Sequence, residues 1–325
     1  MTFFWSLRRL PGRVAVTFVA VASLAFVLLA IKQAAPILVD LVAERPLEVG
    51  ASLSPLLAAV IWSAACWAYL VRQLDRTRVG NARLIAIFLT AWPTRYVPGT
   101  LPYHMTRLLM AERCGLTRSA MAASSLYELI LAVGSATALG LVALALTLGN
   151  ETYGTGYVMA MAPLLFAPFV VQRRVLMPLS RRLLGLLGRP GISREHSLGA
   201  AQAMTSTAMY IGVHLLNGLA FAVLVGVLVG NSPSPVLLVG AYSVACAAGV
   251  AVPLIPGGLG VREAVLTGLL SNALSPETAL VAAGSIRAVS IAADLIPAAL
   301  VAVLGHRRQV TPSAHEFTLP SEPAA

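Results

Sequence analysis

Residues 252–265 read VPLIPGGLGVREAV, which sets two prolines, three glycines, an arginine and a glutamate in an otherwise apolar run. Hydrocarbon surroundings penalise both broken backbone and charge, so the stretch needs a physical reason. Pro256 lacks an amide donor and stops a helix. Gly257, Gly258 and Gly260 permit positive φ and close approach of another chain. A helix restarting near Val261 presents free N–H groups and the positive end of its dipole, and Arg262 adds a full charge. That combination suits an anion such as a phosphate. A tight surface turn between two helices, with Arg262 in water, fits the same letters.

A second stretch tilts the balance toward the anion. Residues 95–107, RYVPGTLPYHMTR, repeat the order of apolar residue, Pro-Gly, a further helix breaker and then Arg opening a new helix. Here the elements are Tyr96, Pro98, Gly99 and Arg107. The two stretches lie in opposite halves of the chain.

The rest of the sequence says where these breaks sit. Of 325 residues, 58% are hydrophobic and 11% charged, and the mean hydropathy is +0.82. Soluble domains carry about 25% charged residues and about 45–50% apolar ones. The chain is therefore read as a polytopic, all-α membrane helix bundle. Its net charge of +10 belongs with cytoplasmic loops and anionic headgroups. No soluble basic domain exists to bind nucleic acid. Cys66, Cys114 and Cys246 have no paired spacing, which excludes a disulfide framework or a zinc site as the organising feature.

Spans of about 20 apolar residues are expected over 14–31, 53–71, 120–148, 156–171, 204–229 and 279–304. The first is read as an uncleaved anchor. Arginines crowd the N-terminus, the 72–83 loop, the 173–194 loop and residues 307–308, placing all four on the cytoplasmic side. Both termini then face the cytoplasm across the inner membrane. Two stretches remain, and each must return to its own side. The segment 84–110 has only about nine apolar residues before Pro93, too few to cross, and is expected to be re-entrant. For 236–255 with 261–274, a re-entrant hairpin and a pair of short tilted helices both remain open. Together they predict two broken-helix hairpins entering from opposite faces, the pattern of an inverted repeat whose tips meet near the midplane. All of this forms one transmembrane domain, 1–308, followed by a disordered tail, 309–325.

Charges inside spans cost about 2.5–3.5 kcal/mol each and should be paired or line a cavity. Glu128 falls two turns into the third long span. Arg287 and Asp294 share a face of the last, with Ser290 between them. Arg107, Arg262 and Arg287 are expected to meet an anionic headgroup, with Glu128, Glu263 and Asp294 balancing them and Glu263 as the counter-charge at Arg262. A purely structural lock, Arg287 on Glu128, Glu263 or Asp294, fits as well. Arg95, Arg107 and His104 are assigned to the cytoplasmic mouth, Tyr96 and Tyr103 to the interface, and Gly226 with Gly230 to helix packing. No catalytic motif is present, so no enzyme activity, cofactor or metal is expected, with a membrane-embedded transferase using Glu128 or Glu263 as base left open.

RYVPGTLPYHMTRLLMAERCGLTRSAMAASSLYELI, followed by VPLIPGGLGVREAVLTGLL, resembles the lysylphosphatidylglycerol synthase transmembrane family, which includes the flippase-like membrane region of bacterial multiple peptide resistance factors. The resemblance runs from about residue 14 to residue 305. Its first motif falls on Tyr96, Pro98, Gly99, Arg107, Gly115 and Glu128. Its second falls on Pro256, Gly257, Gly258, Gly260, Arg262 and Glu263. It implies a domain that binds or translocates lipid. Nothing after residue 310 could hold the soluble aminoacyltransferase domain of the resistance factors, so lysyl transfer is not expected. The function expected is therefore translocation of an anionic or polyprenyl-phosphate-linked lipid. The alternative is a non-transporting partner that docks a glycosyltransferase or lipid synthase on its 173–194 loop.

Overall fold

A computed structural model describes residues 32, 35–36, 39–40, 42–75, 78–96, 101–148, 198–230, 232–252, 258–271 and 273–310. The expected spans 14–31 and 156–171, the basic 173–194 loop and all but the first two residues of the expected tail lie outside them.

The described chain is helical throughout. In order run α1 (Pro46–Asp75), α2 (Asn81–Ala91), a 3₁₀ turn (Trp92–Tyr96), α3 (Leu101–Glu112), α4 (Arg118–Leu148), α5 (Ala200–Val229), α6 (Pro235–Ala251), α7 (Val261–Leu270) and α8 (Pro276–Val310). Among the described residues, four helices are long and apolar enough to cross a membrane: α1, α4, α5 and α8. The protein is thus an all-α polytopic membrane bundle. Two of its ends correct the sequence reading. α7 stops at Leu270 rather than 274, and α8 takes in 309 and 310, which the sequence reading gave to the tail.

Periodicity selects the buried faces. On α1, Leu56, Ala59, Val60, Ser63, Ala64, Trp67, Leu70, Val71 and Leu74 are buried at three- and four-residue steps, while Ile61 and Trp62 face outward. The outward faces of the long helices are equally apolar, with Leu146, Leu215, Leu219, Leu300 and Val303 exposed. Lipid covers such residues at no cost, so association rests on close packing and hydrogen bonds. Hydroxyls inside the spans bond back one turn, as Ser135 does to the Leu131 carbonyl (2.5 Å) and Ser206 to that of Gln202 (2.8 Å).

Packing forms two cores. One gathers Trp67, Leu70, Phe88, Tyr103, Tyr127 and Leu131 from α1 to α4. The other gathers Phe221, Tyr242, Leu266, Leu270, Ala282 and Ile286 from α5 to α8. Glycine lets α4 and α6 cross closely: a Cβ on Gly140 would stand 2.6 Å from Val244 Cγ2, and one on Gly240 would stand 2.9 Å from Ala143 Cβ. Gly218 does the same for α5, its Cβ position lying 2.9 Å from Val239 Cα. The expected packing pair Gly226 and Gly230 is instead a helix end. Gly230 has φ +72, its N–H bonds the Gly226 carbonyl at 3.0 Å, and nothing lies within 4 Å of its Cβ position.

Each expected break falls between two separate described helices, with residues 97–100 and 253–257 outside the described residues. α2 and α3 pack on each other on either side of the 3₁₀ turn. α6 and α7 do likewise, with Gly258 (φ +65) folded so tightly on Gly249 that its Cβ would come 2.7 Å from Gly249 Cα. The two breaks are not superimposable in register. α3 opens at Leu101–Pro102, because proline is tolerated in the first turn, so Arg107 falls in its second turn. Arg262, by contrast, is the second residue of α7.

Candidate functional site

Each intramembrane charge has a definite neighbourhood. Arg107 is 2% exposed and held by Glu128 of α4, Nη2 to Oε2 at 2.5 Å. The same Nη2 lies 3.1 Å from His104 Nδ1 and 3.4 Å from Ser125 Oγ. The guanidinium sits among aromatic rings, 4.2 Å from Tyr103 and 5.0 Å from Trp67. The Tyr103 hydroxyl donates to the other Glu128 oxygen at 3.0 Å. Arg107 is therefore a buried residue committed to Glu128. His104 and Tyr103 accompany it.

Asp294 of α8 is gripped by the 3₁₀ turn of the other half. Trp92 Nε1 donates to it at 2.8 Å and the Tyr96 hydroxyl at 2.5 Å. Arg95 stands 3.9 Å away and 4.3 Å above the Trp92 ring. Arg95, assigned to the mouth from the sequence, is thus a partly buried neighbour of Asp294.

At α7 the expected counter-charge is redirected. Glu263 Oε2 accepts the Gly260 N–H at 2.7 Å, reaching back over the first turn as capping glutamates do. Its Oε1 faces Arg287 Nε of α8 at 3.5 Å, both side chains being 2% exposed. Glu263 therefore pairs with Arg287 and takes one of the free amides that the sequence reading had offered to an anion. Arg262 is left half-buried, donating to the Tyr242 hydroxyl with its guanidinium 4.3 Å from that ring. It forms no salt bridge among the described residues.

A cavity of about 150 Å³ lies between the two cores and joins these neighbourhoods. Trp92, Arg95 and Tyr96 border it from one break, and Gly249, Val250 and Arg262 from the other. α8 adds Arg287, Ser290 and Asp294, the face foreseen from their spacing, and α4 adds Glu128. Arg95, Arg107, Arg262 and Arg287 stand here against Glu128, Glu263 and Asp294, an excess of one formal positive charge. In surroundings of low dielectric such an excess would favour an anion. Among the described residues, no group of three or more His, Cys, Asp or Glu side chains could hold a metal ion.

Of the residues singled out from the sequence, the cavity walls gather Tyr96, Glu128, Arg262, Arg287 and Asp294, with Arg107 and Glu263 directly behind. Gly258 and Gly260 shape the approach to α7 through their positive φ. Pro98, Gly99, Pro256 and Gly257 lie outside the described residues. Trp92 and Tyr242 were missed, because an aromatic residue in an apolar run reads as core. A signal existed: Tyr242, Cys246 and Gly249 recur at steps of four and three, one face of α6, as Trp92 and Tyr96 do at four.

The sequence pattern of the lysylphosphatidylglycerol synthase TM region matches residues 8–298. The chain belongs to that family. The match takes in both broken helices and every element that borders the cavity, so this family member carries its charged interior within the shared region. No curated protein sequence matches the chain.

Proposed function

We propose that this member of the family binds the phosphate of an anionic or polyprenyl-phosphate-linked lipid in the cavity and carries that headgroup across the cytoplasmic membrane, without itself acting as an enzyme. Arg262 carries the reading. It is an arginine at the start of a helix, on the cavity wall, held by a tyrosine hydroxyl and no salt bridge among the described residues. Its neighbours are committed elsewhere, Arg107 to Glu128 and Arg287 to Glu263. A phosphate entering the cavity meets Arg262 and, across from it, Arg95, whose link to Asp294 is the longest of these pairs at 3.9 Å.

The lengths of the broken helices support entry and exit on one face. α2, α3 and α7 span about 15–18 Å at 1.5 Å per residue, well under the hydrocarbon thickness of about 30 Å. Two such elements entering from opposite faces would give the headgroup a polar route while the acyl or prenyl chain stays in the bilayer. The arginine-rich loops support a reading with both termini on the cytoplasmic side.

Reconstitution in proteoliposomes with fluorescent anionic and neutral lipids tests this. Wild type is expected to equilibrate anionic lipid between leaflets, and Arg262→Ala to slow it about tenfold or more while thermal unfolding stays unchanged. A wild type that moves no lipid, or an Arg262→Ala protein that moves it equally fast, sinks the proposal.

A further inference from the structure

Asp294 is held in a way that Glu128 and Glu263 are not. Glu128 meets Arg107 at 2.5 Å. Glu263 caps the Gly260 N–H and faces Arg287 at 3.5 Å. Asp294 instead takes two hydrogen bonds from neutral groups of the 3₁₀ turn. Trp92 Nε1 donates to Oδ1 at 2.8 Å, and the Tyr96 hydroxyl donates to Oδ2 at 2.5 Å. Its salt bridge to Arg95 spans 3.9 Å, beyond hydrogen-bond range. The buried carboxylate is thus satisfied at both oxygens without Arg95.

Arg95 is correspondingly loose. Its side chain is 26% exposed, on the cavity wall, and rests on rings, 4.3 Å from Trp92 and 5.9 Å from Tyr96. A guanidinium stacked on aromatic faces keeps its N–H fork for other partners. Moving that fork from Asp294 to a second anion costs one long ion pair and leaves both carboxylate hydrogen bonds in place. Arg262, by contrast, forms no salt bridge among the described residues and donates to the Tyr242 hydroxyl.

We infer that Asp294 is a competing anion for Arg95, displaced from it when a lipid phosphate binds and reclaiming it as the phosphate leaves. The inference rests on the cavity's reading as a lipid-phosphate site. It makes Asp294 the positioning residue that sets how readily the headgroup is released. Passage requires binding that is favourable enough to enter and weak enough to leave. Arg262 then retains the phosphate while Arg95 yields it.

Affinity is read from tail-labelled phosphatidylglycerol and polyprenyl phosphate binding to the full chain in phosphatidylcholine nanodiscs. Release is read from translocation at saturating lipid in proteoliposomes. Asp294→Asn removes the charge and keeps the shape. It is expected to tighten binding about three- to tenfold and to slow saturated translocation by a similar factor. A residue that only held the fold would weaken binding instead. On an Arg95→Gln background the tightening should fall by half or more, because nothing is left to compete for. Arg95→Gln alone should weaken binding about threefold or more, whatever Asp294→Asn does to folding. Unchanged or weaker binding in an Asp294→Asn protein of normal unfolding midpoint overturns the inference, as does tighter binding without slower translocation. Tightening undiminished by Arg95→Gln would be plain repulsion of the phosphate and overturns it too. So does an Arg95→Gln protein that binds as wild type does. In each of these cases the lipid reading stands. If wild type binds neither lipid, both fall.

Discussion

Arg262 and Arg287 flank the same glutamate, yet only Arg287 receives it. Glu263 does two jobs there, one oxygen capping the Gly260 amide and the other facing Arg287. The substitutions Glu263→Gln and Glu263→Ala separate those jobs. Glutamine keeps the capping oxygen and loses the charge, while alanine loses both. Removing one partner of a buried pair costs about 3–5 kcal/mol, and losing a cap adds about 1 kcal/mol. Thermal unfolding in detergent should therefore rank wild type above Glu263→Gln and Glu263→Gln above Glu263→Ala. On an Arg287→Gln background the loss from Glu263→Gln should shrink, because the charge it answered is gone. Equal losses on both backgrounds would show that the 3.5 Å pair contributes nothing. The residues themselves were legible in the sequence, since charge inside a span announces itself. Their partners were not. Glu263 has Arg262 beside it in sequence, but neighbours on a helix point about 100° apart, and Arg287 reaches it only through the packing of α8 on α7.

At the scale of elements the breaks rest on glycine in two distinct ways. Gly258 needs both its positive φ and its missing side chain, whereas Gly268 of α7 has open space around its Cβ position and needs neither. Gly258→Ala is expected to destabilise the protein by about 2–4 kcal/mol, left-handed strain plus a clash with the Gly249 backbone. Gly268→Ala should raise stability by about 0.5–1 kcal/mol, through helix propensity. Unfolding midpoints of the two variants moving the same way would contradict the description of this turn. Hydropathy located α1, α4, α5 and α8, though α1 begins at Pro46 rather than 53 and α8 ends at Val310 rather than 304, because length and composition decide a span and not its ends. It predicted that 84–110 and 236–274 were broken, because Pro and Gly decide that too. It could not predict that the two breaks differ in register. That follows from Pro102, which starts α3 well before Arg107, while α7 starts one residue before Arg262.

Across the whole molecule, α8 is the piece on which both halves close. Its Arg287 answers α7 in one core, and its Asp294 answers Trp92, Tyr96 and Arg95 beside the other. During synthesis α8 is also the last of the described helices to leave the ribosome. It carries an arginine and an aspartate into the bilayer, about 2.5–3.5 kcal/mol apiece until partners are found, and those partners sit nearly 200 positions upstream in one case and on the adjacent helix in the other. Its integration is thereby an assembly checkpoint, passed only when the earlier elements have already docked. A pulse-chase experiment in membranes reads this directly. Trp92→Leu with Tyr96→Phe strips Asp294 of both hydrogen-bond donors and should shorten the chain's lifetime. Adding Asp294→Leu removes the stranded carboxylate and should restore it, even though the restored protein has lost its cavity chemistry. Membrane proteases would then distinguish a finished chain from an unfinished one by whether a single carboxylate has met its indole and its phenol.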